Sequence, residues 1–136
     1  VDETEMRHRL AAAPVATLGT VDASGRPHLL PICFALRGDR LVTAVDHKPK
    51  RTTALARLAQ VRAHPAVSVL VDEYRDDWDA LWWVRVDGTA TVLADITTEP
   101  DLLGPLVAKY PPYAEVPPAG AAIVVTVQRW QGWSAR

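Results

Sequence analysis

The chain has 136 residues, 49% of them hydrophobic, and a formal net charge of −1. That length suits one domain, residues 1–136, around a single core. The balanced charge gives no field for nucleic acid or an anionic membrane, no apolar run reaches a transmembrane length, and Val1 to Leu10 is too charged for a signal peptide.

Glu3 to Ala13 is predicted as a short helix with Met6 and Leu10 as its apolar stripe. Pro14 to Val21 follows as a strand. Asp22-Ala23-Ser24-Gly25-Arg26-Pro27 is a turn, with glycine for positive φ and proline to restart the chain. His28 to Leu36 is the second strand, Arg37-Gly38-Asp39-Arg40 a tight turn, and Leu41 to Val45 the third strand. Connections this short imply an antiparallel meander.

Asp46-His47-Lys48-Pro49 breaks the third strand, and a helix is expected from about Arg51 to Arg62, stopped by His64-Pro65. Val67 to Val71 is the fourth strand, and Asp72 to Asp79 a charged loop. Ala80 to Ala94 reads as one long strand. Trp82, Val84, Val86, Ala90 and Val92 share one face, and Trp83, Arg85, Asp87, Thr89 and Thr91 the other. Gly88 interrupts it and suggests a bulge or sharp bend. Thr98 to Lys109 is a second helix, Pro111 to Gly120 a proline-rich loop, Ala121 to Val127 the last strand, and Arg129 to Arg136 a tail. Hairpins plus a long bent strand suggest a small antiparallel barrel closed by helices.

The chemistry concentrates at the start of the second helical stretch. Lys48, Lys50 and Arg51 sit where the helix macrodipole disfavours cations, by roughly a few tenths of a kcal/mol each. An anion would resolve that conflict, since backbone N–H groups at a helix start bind phosphate. The alternative is a basic turn whose cations point into water. His8, His28, His47 and His64 are scattered and read as surface or capping residues. No metal-ligand spacing, nucleophile elbow, P-loop or dinucleotide fingerprint is present, so neither a metal site nor a catalytic residue is assigned. The lone Cys33 lies mid-strand with no base nearby, allows no intrachain disulfide, and leads to the expectation of a reducing cytoplasm. The carboxylates from Asp72 to Asp79 read as a solvated loop. A basic helix start, an apolar β surface and five tryptophans suit a flat, phosphorylated, aromatic cofactor that brings its own redox chemistry. The competing reading places the tryptophans in the core and at a dimer interface.

The runs TLGTVDASGRPHLLPICFAL, LVTAV, HKPKRTTALARLAQVRAHPAVSVLVDEY and LWWVRVDGTATVL, in that order, resemble the pyridoxamine 5′-phosphate oxidase-like split-barrel family. Within it, LWWVRVDGTA and the tryptophan-containing tail look most like the flavin/deazaflavin oxidoreductases that use coenzyme F-420. The resemblance implies a mainly β fold, a six-stranded antiparallel split β-barrel with two or three short helices. It implies a homodimer with two cofactor sites at its interface and a small-molecule substrate. It also implies positions. Leu30, Pro31, Ile32, Cys33 and Phe34 would line the cofactor ring with their backbone. Thr43, Ala44 and Val45 would pass beside ring and linker, and Lys48, Lys50, Arg51 and Thr52 would hold the phosphate. From the partner chain, Trp78, Trp83 or a tail tryptophan such as Trp130 would cover the ring. FMN-using oxidases of the family carry an Arg-x-x-x-Leu-Lys pattern that Pro27 to Phe34 lacks, which places F-420 ahead of FMN. The implied function is hydride transfer from reduced deazaflavin to a small unsaturated or quinone-like substrate. Its alternatives are an FMN oxidase or flavin reductase, and a non-catalytic F-420, FMN or haem carrier.

Overall fold

The computed structural model describes residues 1–45 and 51–136, without the side chains of 51–53. Its elements in chain order are α1 (Glu3–Ala12), β1 (Ala16–Val21), β2 (Pro27–Ile32), β3 (Ala35–Arg37), β4 (Arg40–Ala44) and α2 (Arg51–Ala63). Then come β5 (Ala66–Glu73), β6 (Trp82–Leu93), α3 (Pro100–Lys109), α4 (Pro111–Glu115) and β7 (Ala122–Ser134). Short 3-10 turns at Trp78–Ala80 and Ile96–Thr98 precede β6 and α3.

The seven strands form one antiparallel sheet in the order β2-β1-β5-β6-β7-β4-β3. The second strand of the sequence reading is therefore two strands on opposite edges of the sheet, and the predicted meander is corrected at that point. β1–β2 and β3–β4 are hairpins, but β2 does not pair with β3. Only Cys33 and Phe34 separate the two edges in sequence, and that link reaches about 11 Å at full stretch. The sheet must curl until its edges approach there. The result is the mainly β split barrel, with seven strands because the second is divided.

Two hydrophobic cores follow from the curl. The barrel interior collects Leu18, Phe34, Leu41, Val69, Val86 and Val125, all fully buried. Each is worth about 1.5–3 kcal/mol of burial. Met6 and Leu10 of α1 and Leu58 and Val61 of α2 close this core. The second core lies between α3 and the β3-β4-β7 part of the sheet, where Leu102 and Leu106 meet Ala35, Val42, Ala122 and Val124.

Strand β6 shows the predicted alternation, with Val84, Val86 and Ala90 buried and Thr91 exposed on the other face. The register slips beside Gly88: Asp87 pairs with Arg129 but Gly88 with Val127, so the extra residue, Gln128, belongs to β7. The predicted tail is corrected too. Arg129 to Ser134 continues β7 alongside β6. The polar Gln128-Arg129 step and the bulge together hide the strand period there. The proline-rich stretch begins with the one-turn helix α4, since proline is tolerated in a first turn.

Candidate functional site

The two stretches expected to line a cofactor ring come together around β3. Ala35 pairs with Val42, so Phe34 and Thr43 leave the ladder side by side. Ile32, Phe34 and Val45 are buried in the barrel core, Leu30 packs against it, and Thr43 is buried. Their side chains are committed to packing. Pro31 and Cys33 are exposed, and Ala44 is half-buried. Toward a ligand, this region offers main chain and small side chains. The Val45 N–H is taken by the Ala121 carbonyl at 3.0 Å. Lys48 and Lys50 lie outside the described residues, as do the side chains of Arg51 and Thr52, so the phosphate assignment is untouched by the geometry.

The end of α3 reaches this link from outside the barrel. The Phe34 N–H donates to the Tyr110 hydroxyl at 3.0 Å. That hydroxyl shares its proton between the carbonyls of Pro14, at 2.8 Å, and Phe34, at 3.1 Å. The Lys109 ammonium stands 3.7 Å from the centre of the Phe34 ring. Its nitrogen is buried and makes no hydrogen bond. Burial lowers the Lys109 pKa to about 8, although the neighbouring Cys33 thiol works the other way. Burial likewise raises the Tyr110 phenol. Nothing in the sequence marks Lys109 or Tyr110 as belonging here, because their partners are set by the tertiary fold.

A cleft of about 390 Å³ opens on the outer face of the sheet, lined among others by Gly19, His28, Leu29, Ala66, Ser68 and Asp87. This lies within the size range of small-molecule sites, about 300–1,000 Å³. Its outer row is fixed by register: Leu29 beside Gly19, Gly19 beside Ser68, Ser68 beside Asp87. Gly19 and Ala66 keep it shallow-walled, and Leu29 and Pro27 make one side apolar. Four polar side chains on this face, Ser68, Asp87, Arg85 and Gln131, are matched to one another. Ser68 Oγ donates to Asp87 Oδ1 at 2.7 Å, Arg85 Nε donates to the same oxygen at 3.1 Å, and Arg85 also bonds Gln131. At the β1–β2 turn, Asp22 accepts from the Ser24 hydroxyl and the Arg26 N–H and meets His28 Nε2 at 2.8 Å. These bonds, that of Ser24 first, hold the Asp22 carboxyl well below the usual carboxylate range. Ser68 spends its proton on Asp87, a carboxylate that Arg85 also holds. The sequence reading missed this face network because its members are cross-strand neighbours.

The tryptophans divide between faces. Trp83 and Trp133 are a cross-strand pair on the outer face of β6 and β7. Trp130 is opposite Val86 on the inner face, packs against the barrel core, and lies under the Arg7 guanidinium at 4.7 Å. Trp83 and Trp130 of one chain therefore lie on opposite faces of the β6–β7 ladder. Trp78 is 69% exposed on its 3-10 turn. Among the described residues no group of three or more histidine, cysteine or acidic side chains could hold a metal, and no helix is long and apolar enough to cross a membrane.

Fold and cleft together define a split-barrel protein with an open, largely apolar face. Residues 2–134 match the pyridoxamine 5′-phosphate oxidase family, and the chain belongs to it. Among solved structures, a conserved hypothetical protein from Mycobacterium tuberculosis is similar with a TM-score of 0.77 at 19% identity, covering 100% of this chain and 86% of that one. The FAD binding protein from Mycobacterium smegmatis is similar with a TM-score of 0.65 at 20% identity, over 98% of this chain and 95% of that one. A FAD-binding protein from Mesorhizobium loti gives 0.68 at 22% identity, over 97% and 92% of the two chains. At these identities the likeness is one of fold. No curated protein matches the chain.

Proposed function

We propose that this chain is a coenzyme F-420-dependent reductase acting as a homodimer in the cytoplasm. The observation that carries the reading is the make-up of β2 and its continuation. Between Pro27 and Phe34 there is no lysine or arginine, so the FMN-gripping pattern is absent, and the cations gather at Lys48 to Arg51 instead. The described residues fit a flat cofactor. The Cys33–Phe34 link and the end of β4 run side by side, present main chain and small groups, and lead into the basic segment before α2.

A reduced deazaflavin supplies hydride from its ring carbon to an electron-poor alkene, imine or quinone. The chain's share is to place and desolvate the reactants. The backbone of Leu30 to Phe34 lines the ring, Thr43 to Val45 flank it, and Lys48, Lys50, Arg51 and Thr52 hold the phosphate. The proton comes from solvent, since the nearby Tyr110 hydroxyl is engaged by main chain. The outer face bearing Leu29, Leu70 and Trp133 meets the second copy. These side chains are 76%, 37% and 46% exposed, and exposed apolar groups gathered on one face mark interaction surfaces.

The test is turnover of reduced F-420 against a panel of quinones and enones, followed by the loss of deazaflavin absorbance. Oxidation that depends on both protein and acceptor supports the reading; saturable binding without turnover would make the protein a carrier. A flavin reading is favoured by the two similar structures described as FAD-binding. A yellow protein on purification would support it.

A further inference from the structure

We infer that Tyr110 is a positioning residue of the cofactor site, and that its hydroxyl fixes the main chain on which the ring rests. The inference builds on the proposed cofactor reading and assigns a role within it to a residue outside the barrel. The Cys33–Phe34 link is the weak point of the split barrel. It joins the two sheet edges, and Phe34 lies outside both flanking strands. No strand ladder therefore holds the Phe34 amide and carbonyl. Tyr110 takes both. Its hydroxyl accepts from the Phe34 N–H at 3.0 Å and donates toward the Phe34 and Pro14 carbonyls at 3.1 and 2.8 Å.

The hydroxyl is itself held on a rigid support. Tyr110 caps α3, its N–H bonded to the Leu106 carbonyl at 3.2 Å. Leu102 and Leu106 anchor that helix in the second core against Ala35 and Val42. Ala35 opens β3 and pairs with Val42 in the middle of β4, so this pair stands next to both ring-lining stretches. One phenol thus ties the entry to β1, the link and the outer helix into one frame. A site held by main chain needs such support, because a small displacement of the lining misplaces the reactants.

The experiment compares wild type with Tyr110→Phe, which keeps the ring and removes the hydroxyl. Ile96→Val, a small truncation in the second core, serves as a control for stability alone. F-420 and FMN affinities and the spectra of the bound cofactors are measured for all three proteins. Tyr110→Phe is expected to weaken binding of the preferred cofactor about tenfold, a loss of about 1.4 kcal/mol. It is also expected to shift the bound-cofactor spectrum, while Ile96→Val leaves both unchanged. Wild-type affinity and spectrum in Tyr110→Phe would overturn the inference and leave the cofactor reading standing. Failure of wild type to bind either cofactor would overturn both.

Should Tyr110→Phe not fold, amide exchange of wild type decides. The Phe34 amide is expected to be protected without cofactor and unchanged by its addition. Fast exchange without cofactor would show that the link is not pre-positioned, contrary to the inference.

Discussion

Gly88 and Thr126 approach so closely across β6 and β7 that a Cβ on Gly88 would stand 2.3 Å from the Thr126 carbonyl oxygen. The same Cβ would meet Val125 Cγ1 at 2.9 Å. The contact falls at the register slip, where β7 takes up its extra residue. Gly88→Ala should therefore destabilise the fold by about 2–3 kcal/mol, the range of an overpacked core that must move main chain. Gly104→Ala is the counterpart. Gly104 is an exposed position inside α3 with nothing within 4 Å of a new Cβ, and the change should stabilise by about 0.5–1 kcal/mol. Urea denaturation of both variants checks the pair.

This junction also shows how far the sequence could be read. The alternation of β6 and the irregularity at Gly88 are visible in one dimension, because inner and outer residues differ in kind. Which strand carries the extra residue is not, since it depends on the partner's register. The same limit explains His28 to Leu36. Ile32 and Phe34 keep an apolar period across the break, while the neighbours change from β1 to β4. At the site, the ring-lining stretches could be taken from the resemblance, but Tyr110 joins Phe34 only in the folded chain.

Lys109 predicts a pH dependence. Its folded pKa, about 8, lies below the ordinary lysine value of 10.5. The unfolded chain therefore binds more protons between those values, and this residue's contribution to stability rises with pH across that window. Below it, the cost of half-burying the charge is fully present. Lys109→Met should narrow or reverse that cost at pH 7, and the difference from wild type should shrink from pH 8 to 10.5. Paired melting curves across that range measure it.

Asp22 predicts the same direction at the acid end, stability rising with pH, but from a group that stabilises when charged rather than one that costs. Its folded pKa is depressed by Ser24, His28 and Arg26, so its contribution is present above the ordinary aspartate value and lost as pH falls through the folded one. Asp22→Asn should flatten the acid limb of the stability curve and raise amide exchange in the β1–β2 turn. Identical acid limbs in the two proteins would contradict this.

The outer face predicts the oligomer. Leu70→Glu places a charge beside Arg85 on that face, among side chains proposed to meet a second copy. It should convert a dimer to a monomer in light scattering with little change in the monomer's circular dichroism, since Leu70 points away from the core. A wild-type monomer at micromolar concentration would contradict the proposed interface.

The phosphate assignment predicts that Lys50→Ala weakens cofactor binding about tenfold and reduces its dependence on salt, as loss of a cation from an anion site should. Unchanged affinity would remove Lys50 from the site.

The most direct test of the central claim is equilibrium binding of the purified apo-protein to F-420 and to FMN, side by side, followed by fluorescence. The account predicts tight F-420 and weak FMN. Tight FMN with weak F-420, or binding of neither, would contradict it.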